Sequence, residues 1–278
     1  MHCVVTGGAG FIGSHLVDRL LKDGHDVVVI DNESSDAHKD PYWNSNAENH
    51  KQDINDYETL KELTIGADVV FHLAAESRIQ PTIENPRLAI QTNTLGTCNV
   101  LQAAKENGIK RVVYSSTSAA YGFNGILNTE DTPNDCLNPY SVSKVGGEEL
   151  CKMYTDLFGV ETIIFRYFNV YGDRQPTKGQ YAPVIGVFSR QVEAGEPMTV
   201  VGDGLQRRDY VNVSDIVEAN VLASTTNNRD AIGKTFNLGS ETNYSVMDLV
   251  KLIGGENPHF VHLPERLGES RETLSDCS

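Results

Sequence analysis

The segment NPYSVSKVGGEEL, residues 138–150, sets Tyr140 and Lys144 four positions apart and follows them with Gly146 and Gly147. On a helix that spacing places both side chains on one face, where they reach the same small volume. A free tyrosine titrates at about pH 10, so it is a poor base at neutral pH unless a cation stabilises its phenolate. Lys144 is such a cation. A second stretch, RVVYSSTSAAYG, offers Ser115, Ser116, Thr117 and Ser118 at the end of a predicted strand. A hydroxyl from Thr117 or Ser116 can share the phenol proton or bind a substrate oxygen. The chemistry implied is proton transfer, with Tyr140 as base, Lys144 as the group that tunes it, and Thr117 and Ser116 as hydroxyl partners.

Near the amino terminus, VVTGGAGFIGSHL carries Gly8, Gly10 and Gly13 in GxGxxG spacing, and Gly7, Gly10 and Gly13 in GxxGxxG spacing. The loop follows a predicted strand, opens a helix at Phe11 and Ile12, and leads to a second strand that ends in Asp31. That context is the signature of a dinucleotide site, in which backbone N–H groups approach a pyrophosphate at a helix N-terminus. Asp31 would accept hydrogen bonds from the adenosine ribose, and its charge would repel a 2′-phosphate. No Arg or Lys lies between Asp31 and Lys39 to receive one, so NAD is favoured over NADP.

The elements that must position these groups alternate along the first half. Strand-like HCVVT, DVVVID, ADVVFHLAA and RVVYSS are separated by helical stretches, one of them running to Gly108. Near-continuous Val/Ile strands between amphipathic helices predict an α/β fold with a doubly wound parallel sheet of Rossmann type. After VETIIFRYFN the pattern loosens into Pro/Gly-rich loops, a helix over about 184–194, and short strands. We therefore divide the chain into a dinucleotide-binding domain, residues 1–168, and a smaller carboxyl-terminal substrate lobe, residues 169–278, partly interleaved with it. Residues 34–51 read as a long loop or a short helix.

Composition limits the alternatives. A formal net charge of −15 and a pI near 4.9 argue against nucleic acid or an anionic membrane as partner. An anionic ligand would need a local cluster of Arg. The five cysteines and eight histidines are scattered, without CxxC or HExxH, so neither a disulfide framework nor a metal site is expected. With no apolar run of about 20 residues and no signal-peptide layout, the expectation is a cytoplasmic protein.

Taken in order, the motifs TGGAGFIGS, HLAA at 72–75, NTLGTCNVL, YSSTSAAYG, YSVSK, RYFNVYG, GDGLQRRDYVNVSD and PERLGESRETLSD resemble the extended short-chain dehydrogenase/reductases, and within them nucleotide-sugar epimerases of the UDP-glucose 4-epimerase kind. The resemblance covers nearly the whole chain. It implies that Gly7, Gly10, Phe11, Ile12, Gly13, Asp31 and Asn32 hold NAD, that Asp53 and Ile54 flank the adenine, and that Leu73, Ala74 and Ala75 lie along the dinucleotide. Asn93, Ser115, Tyr140, Lys144 and Tyr167 complete the cofactor set, with Asn93 also supporting the active-site helices. On the substrate side it implies Thr117, Asn169, and the diphosphate-holding Arg208 and Arg266. Family members usually continue a few tens of residues further, with a helix packed on the substrate lobe. They commonly pair as homodimers through helices matching 92–107 and 141–158.

The resemblance also ranks the reactions. In 4,6-dehydratases the catalytic Thr is followed by Asp and Glu, and decarboxylases usually carry a Glu in the same stretch; here the positions are Ser118 and Ala119. A 4-epimerase needs no further acid or base, so the expected activity is NAD-dependent 4-epimerisation of a UDP-sugar through a transient 4-keto intermediate. Thr273 stands where epimerases restricted to the plain hexose place a bulky aromatic, which implies that UDP-GlcNAc/UDP-GalNAc is accepted beside UDP-Glc/UDP-Gal. The rival expectations are a dehydratase or another NAD-dependent nucleotide-sugar oxidoreductase, and a non-catalytic NAD-binding regulatory protein. Surface-polysaccharide precursor synthesis is the family-level expectation for its setting.

Overall fold

The computed structural model describes residues 1–35, 41–124, 127–177, 182–265 and 271–278. Its centre is a seven-stranded, all-parallel sheet in the order Lys234–Leu238, Glu161–Tyr167, Arg111–Thr117, Val69–His72, His2–Thr6, Asp26–Asp31, Glu48–Lys51. The inner strands are largely apolar on both faces because both faces are covered. Successive residues feed opposite cores: Val5, Val29, Phe71, Val113 and Ile163 join one cluster, while Val4, Val28, Val70, Val112 and Ile164 join the other. Helices Phe11–Lys22 and Val213–Thr225 cover the first face with Leu16, Val17, Leu20, Ile216 and Val217. Helices Gly96–Glu106 and Pro139–Phe158 cover the second with Val100, Leu101, Cys151 and Tyr154.

The expected doubly wound sheet is thus present, with two local departures. Residues 48–51 form an edge strand against Asp26–Asp31, although ENHK has no apolar alternation. An edge strand of this kind is held by its backbone pairing, and its side chains are mostly exposed. The helical stretch leading to Gly108 is not continuous. It divides into Ile79–Glu84, Pro86–Ala89, a π-helical turn Ile90–Leu95 and Gly96–Glu106.

Past Phe168 the chain builds a three-stranded sheet from Asn169–Tyr171, Arg207–Asn212 and Asn243–Ser245, and a two-stranded one from Met198–Val201 and Phe260–Leu263. The core here is small: Phe188, Met198, Val200, Val246, Leu249 and Val250. The two halves interlock. Lys234–Leu238 returns to the edge of the main sheet, and Leu274–Ser275 pairs with Leu127–Asn128. Among the described residues no helix is long and apolar enough to cross a membrane, and no cluster of His, Cys, Asp and Glu is arranged to hold a metal.

Candidate active site

The order of the sheet reverses between His2–Thr6 and Val69–His72. At such a switch point the loops leaving the strands diverge and open a crevice at their carboxyl ends. A cavity of about 490 Å³ lies here, lined by Gly7, Gly10, Phe11, Ile12, Gly13 and Asp31, and further along by Asn32, Ile54, Leu73, Ala74 and Ala75. The glycines are required by packing. A Cβ on Gly13 would stand 2.2 Å from the Gly7 carbonyl, and one on Gly7, whose φ is +70°, would stand 2.7 Å from the Ala74 nitrogen. The helix that begins at Phe11 has no side-chain cap and no acid in its first turn, so its leading N–H groups and its dipole suit an anion. Asp31 accepts from the backbone N–H of Ala9 (3.1 Å) and of Glu33 (2.8 Å), which fixes its carboxylate at the strand end. These residues fit a dinucleotide.

Tyr140 and Lys144 come from one helix whose start is strongly specified. Asn138 caps it reciprocally with Ser141, and Pro139 occupies the first turn. Tyr140 therefore sits at the positive end of the helix dipole, which favours an anionic phenol oxygen. Burial pushes its pKa up, and a hydrogen bond with Thr117 opposes that rise. Lys144 is 2% exposed. Burial pulls its pKa down to about 7, against the opposing influence of Cys151 and Glu148, so it holds or releases a proton near neutrality. Its Nζ lies 4.4 Å from the centroid of the Tyr114 ring. Gly147 explains the paired glycines that follow: a Cβ there would stand 2.2 Å from the Tyr114 hydroxyl, which donates to the Lys144 carbonyl (3.1 Å).

Beneath the pair runs a directed chain of hydrogen bonds. The Thr97 hydroxyl donates to the Asn93 carbonyl (2.6 Å) and so accepts from His72 Nε2 (3.0 Å). His72 Nδ1 then accepts from the Thr6 hydroxyl (2.7 Å), which accepts from the Ala74 N–H (3.3 Å). Burial, with Lys144 nearby, pulls the His72 pKa down to about 3, so the imidazole is neutral, as this tautomer requires.

A second cavity, of about 790 Å³, adjoins the first and shares Thr117, Tyr140, Phe168 and Asn169 as walls. Its far side is built from the lobe by Arg208, Tyr210 and Thr273. Arg208 Nη1 donates to the carbonyls of Arg207 (2.9 Å) and Arg271 (3.3 Å). Asn169 Nδ2 donates to the Asp209 carbonyl (2.9 Å).

Three of the residues expected from sequence spend their side chains on the protein itself. Ser116 borders the cofactor cavity, but its hydroxyl donates to Glu148, which also takes two bonds from Arg166. The Ser116 hydroxyl is thus partnered by one of the protein's own buried carboxylates. Asn93 lines neither cavity. Its side chain is spent on both backbone groups of Glu76 and on Ser143 Oγ, tying the π-helical turn to the helix that carries Tyr140 and Lys144. Asp53 likewise lines neither cavity and instead anchors Asn32 Nδ2 (2.9 Å), while Gln52 and Ile54 form the wall. Arg266 lies outside the described residues. Ser115 and Tyr167 share a hydrogen bond (2.9 Å) at the cofactor wall, and Asn220 fixes the Tyr167 hydroxyl. Sequence reasoning missed Ser77 and Ile79, which line both cavities, and Tyr210. The alternation of RRDY carried a signal for Tyr210, since it places residues 208 and 210 on one side.

Fold and site together define an NAD-dependent enzyme of the extended short-chain dehydrogenase/reductase class. The chain belongs to the NAD dependent epimerase/dehydratase family, which matches residues 3–239. It is 36% identical to a UDP-glucose 4-epimerase of Mycolicibacterium smegmatis, over 99% of this chain and 90% of that one. It is also 36% identical to a UDP-N-acetyl-alpha-D-glucosaminuronate decarboxylase of Bacillus cytotoxicus, over 94% of this chain and 83% of that one. A crystal structure of the Thermotoga maritima UDP-glucose 4-epimerase with UDP-glucose superposes with a TM-score of 0.93 at 33% identity, covering 100% of this chain and 90% of that one.

Proposed function

We propose that this protein is a UDP-sugar 4-epimerase acting on UDP-Glc/UDP-Gal and on their N-acetylated counterparts. The observation that carries the reading is the seam between the two cavities, where Tyr140 and Thr117 face both, while the positions after Thr117 are Ser118 and Ala119. Among the described residues no Asp or Glu lines the substrate cavity, which suits a reaction that only removes and returns one proton at one carbon. Bound NAD supplies the means to accept hydride and give it back. Tyr140, as phenolate, takes the proton of the sugar 4-hydroxyl, and Thr117 holds the same oxygen. The charge of Lys144 and the helix dipole stabilise the phenolate before that step. The lobe holds the diphosphate through Arg208 and the sugar through Asn169, so the 4-keto sugar turns over about its phosphate linkage without leaving. Tyr140 then returns the proton to the oxygen of the opposite epimer.

The small side chain of Thr273 supports acceptance of an N-acetyl group. Exposed Leu95 and Val142, on the helices expected to pair, support a homodimer. The decisive experiment incubates purified protein with UDP-GlcNAc and, separately, with UDP-Glc, and follows the anomeric protons by NMR. Appearance of the 4-epimer without net NADH is the expected result. A released keto product with stoichiometric NADH, or turnover only of a UDP-uronate with loss of CO₂, would replace this reading with that of an oxidoreductase or a decarboxylase.

A further inference from the structure

The strand Arg207–Asn212 presents Arg208 and Tyr210 to the substrate cavity, and between them Asp209 is 0% exposed. Its carboxylate accepts five hydrogen bonds from two other segments. Oδ1 takes the Ser240 N–H (2.8 Å) and hydroxyl (2.9 Å). Oδ2 takes the Glu241 N–H (3.2 Å), the Ser275 N–H (3.0 Å) and the Ser275 hydroxyl (2.6 Å). A carboxylate so far from solvent is tolerated because every lone pair is occupied.

The segment ending at Ser275 is also part of the substrate wall. The Thr273 N–H donates to the Arg207 carbonyl (3.2 Å), the Arg207 N–H donates to the Arg271 carbonyl (3.0 Å), and Arg208 Nη1 rests on the carbonyls of Arg207 and Arg271. Placing residues 271–275 therefore places the seat of the Arg208 guanidinium. Gly239 shows how close the join is: a Cβ there would stand 2.3 Å from Ser275 Oγ and 2.8 Å from Asp209 Oδ2.

We infer that Asp209 is a positioning residue, a clasp that fastens the loop at 239–241 and the strand at 274–275 to the back of the substrate strand and so sets Arg208 for the anionic part of the ligand. The inference rests on the proposed UDP-sugar site. It requires that loosening the clasp weaken the grip on nucleotide while leaving intact the cofactor cleft, whose lining includes none of Asp209, Gly239, Ser240, Glu241 or Ser275.

The test is calorimetric titration of UDP into the full, NAD-containing protein, with bound NAD measured in parallel. Asp209→Asn is expected to weaken UDP binding by about tenfold or more, since it presents an N–H group to donors that need an acceptor. Gly239→Ala, which wedges the clasp apart without altering Asp209, is expected to do the same, and Ser275→Ala to do so by less. NAD content stays at the wild-type level in all three, and KM for the nucleotide sugar rises with kcat little changed. If Asp209→Asn does not fold, the other two variants carry the test. UDP affinity unchanged in Gly239→Ala and Ser275→Ala overturns the clasp, and so does NAD loss in step with UDP loss. A wild-type protein that binds no UDP overturns the reading of the cavity itself, and the clasp with it.

Discussion

Lys144 and Arg208 serve adjoining cavities, yet they are held by opposite means. Lys144 is set by a helix packed on the main sheet, over Tyr114 and beside the apolar core of that face. Arg208 is set by carbonyls of its own lobe, on a strand whose back is fastened through Asp209 and whose local core is six side chains. On the proposed reaction, packing sets the group that serves the chemical step, and hydrogen bonds between separate segments set the group that grips the substrate. The two walls should therefore fail in different ways.

The largest expected difference is at the base. Tyr140→Phe should lower turnover by about 10³-fold, the scale of a lost general base, while bound NAD stays at the wild-type level. Steady-state kinetics with a cofactor assay would check both, and full turnover in the variant would break the assignment. Next comes the support of that wall. Glu148→Ala leaves Arg166, whose side chain is 4% exposed, without its carboxylate, and should lower unfolding stability by about 3–5 kcal/mol in urea titrations.

A pH series sharpens the contrast further. With the Lys144 pKa near 7 in the folded protein and near 10.5 when unfolded, the unfolded chain binds the extra proton between those limits. Stability of the cofactor-free protein should thus rise with pH across this window, by about 1.4 kcal/mol per unit from this group, and fall as pH drops toward 7. Lys144→Met should lack that slope when urea midpoints are compared at pH 7.5 and 9. The smallest effect is expected at the other wall. Arg208→Ala should raise KM for the nucleotide sugar by about tenfold with kcat near wild type, and a kcat loss equal to that of Tyr140→Phe would erase the distinction between the walls.

The same contrast governs what could be read from sequence. The sheet was legible because its inner strands are largely apolar on both faces and its helices amphipathic, and the YSVSK spacing fixed a helix face by geometry alone. Glu48–Lys51 was not legible, since it is a strand through backbone pairing and carries no side-chain pattern. The π-helical turn at Ile90–Leu95 leaves no trace in composition either, because it is a shift of hydrogen-bond register. Ser116 and Asn93 show a second limit. A polar residue beside a reacting one looks the same in sequence whether its hydrogen bonds go to a ligand or to the protein's own backbone and carboxylates. Asp209 is the extreme case, since its partners lie 31 to 66 positions away.

The edge strand Lys234–Leu238 pairs with Glu161–Tyr167, yet the whole stretch 168–233, with the lobe's first strands and the helix Val213–Thr225, lies between them in sequence. On the ribosome, Glu161–Tyr167 emerges long before its neighbour and offers a bare hydrogen-bonding edge, with Ile163, Ile164 and Phe165 at its middle, during that interval. The nascent protein therefore has a window of exposure set by translation speed. In that window a chaperone, or another unfinished copy, meets the same edge that the finished molecule covers with its own returning chain.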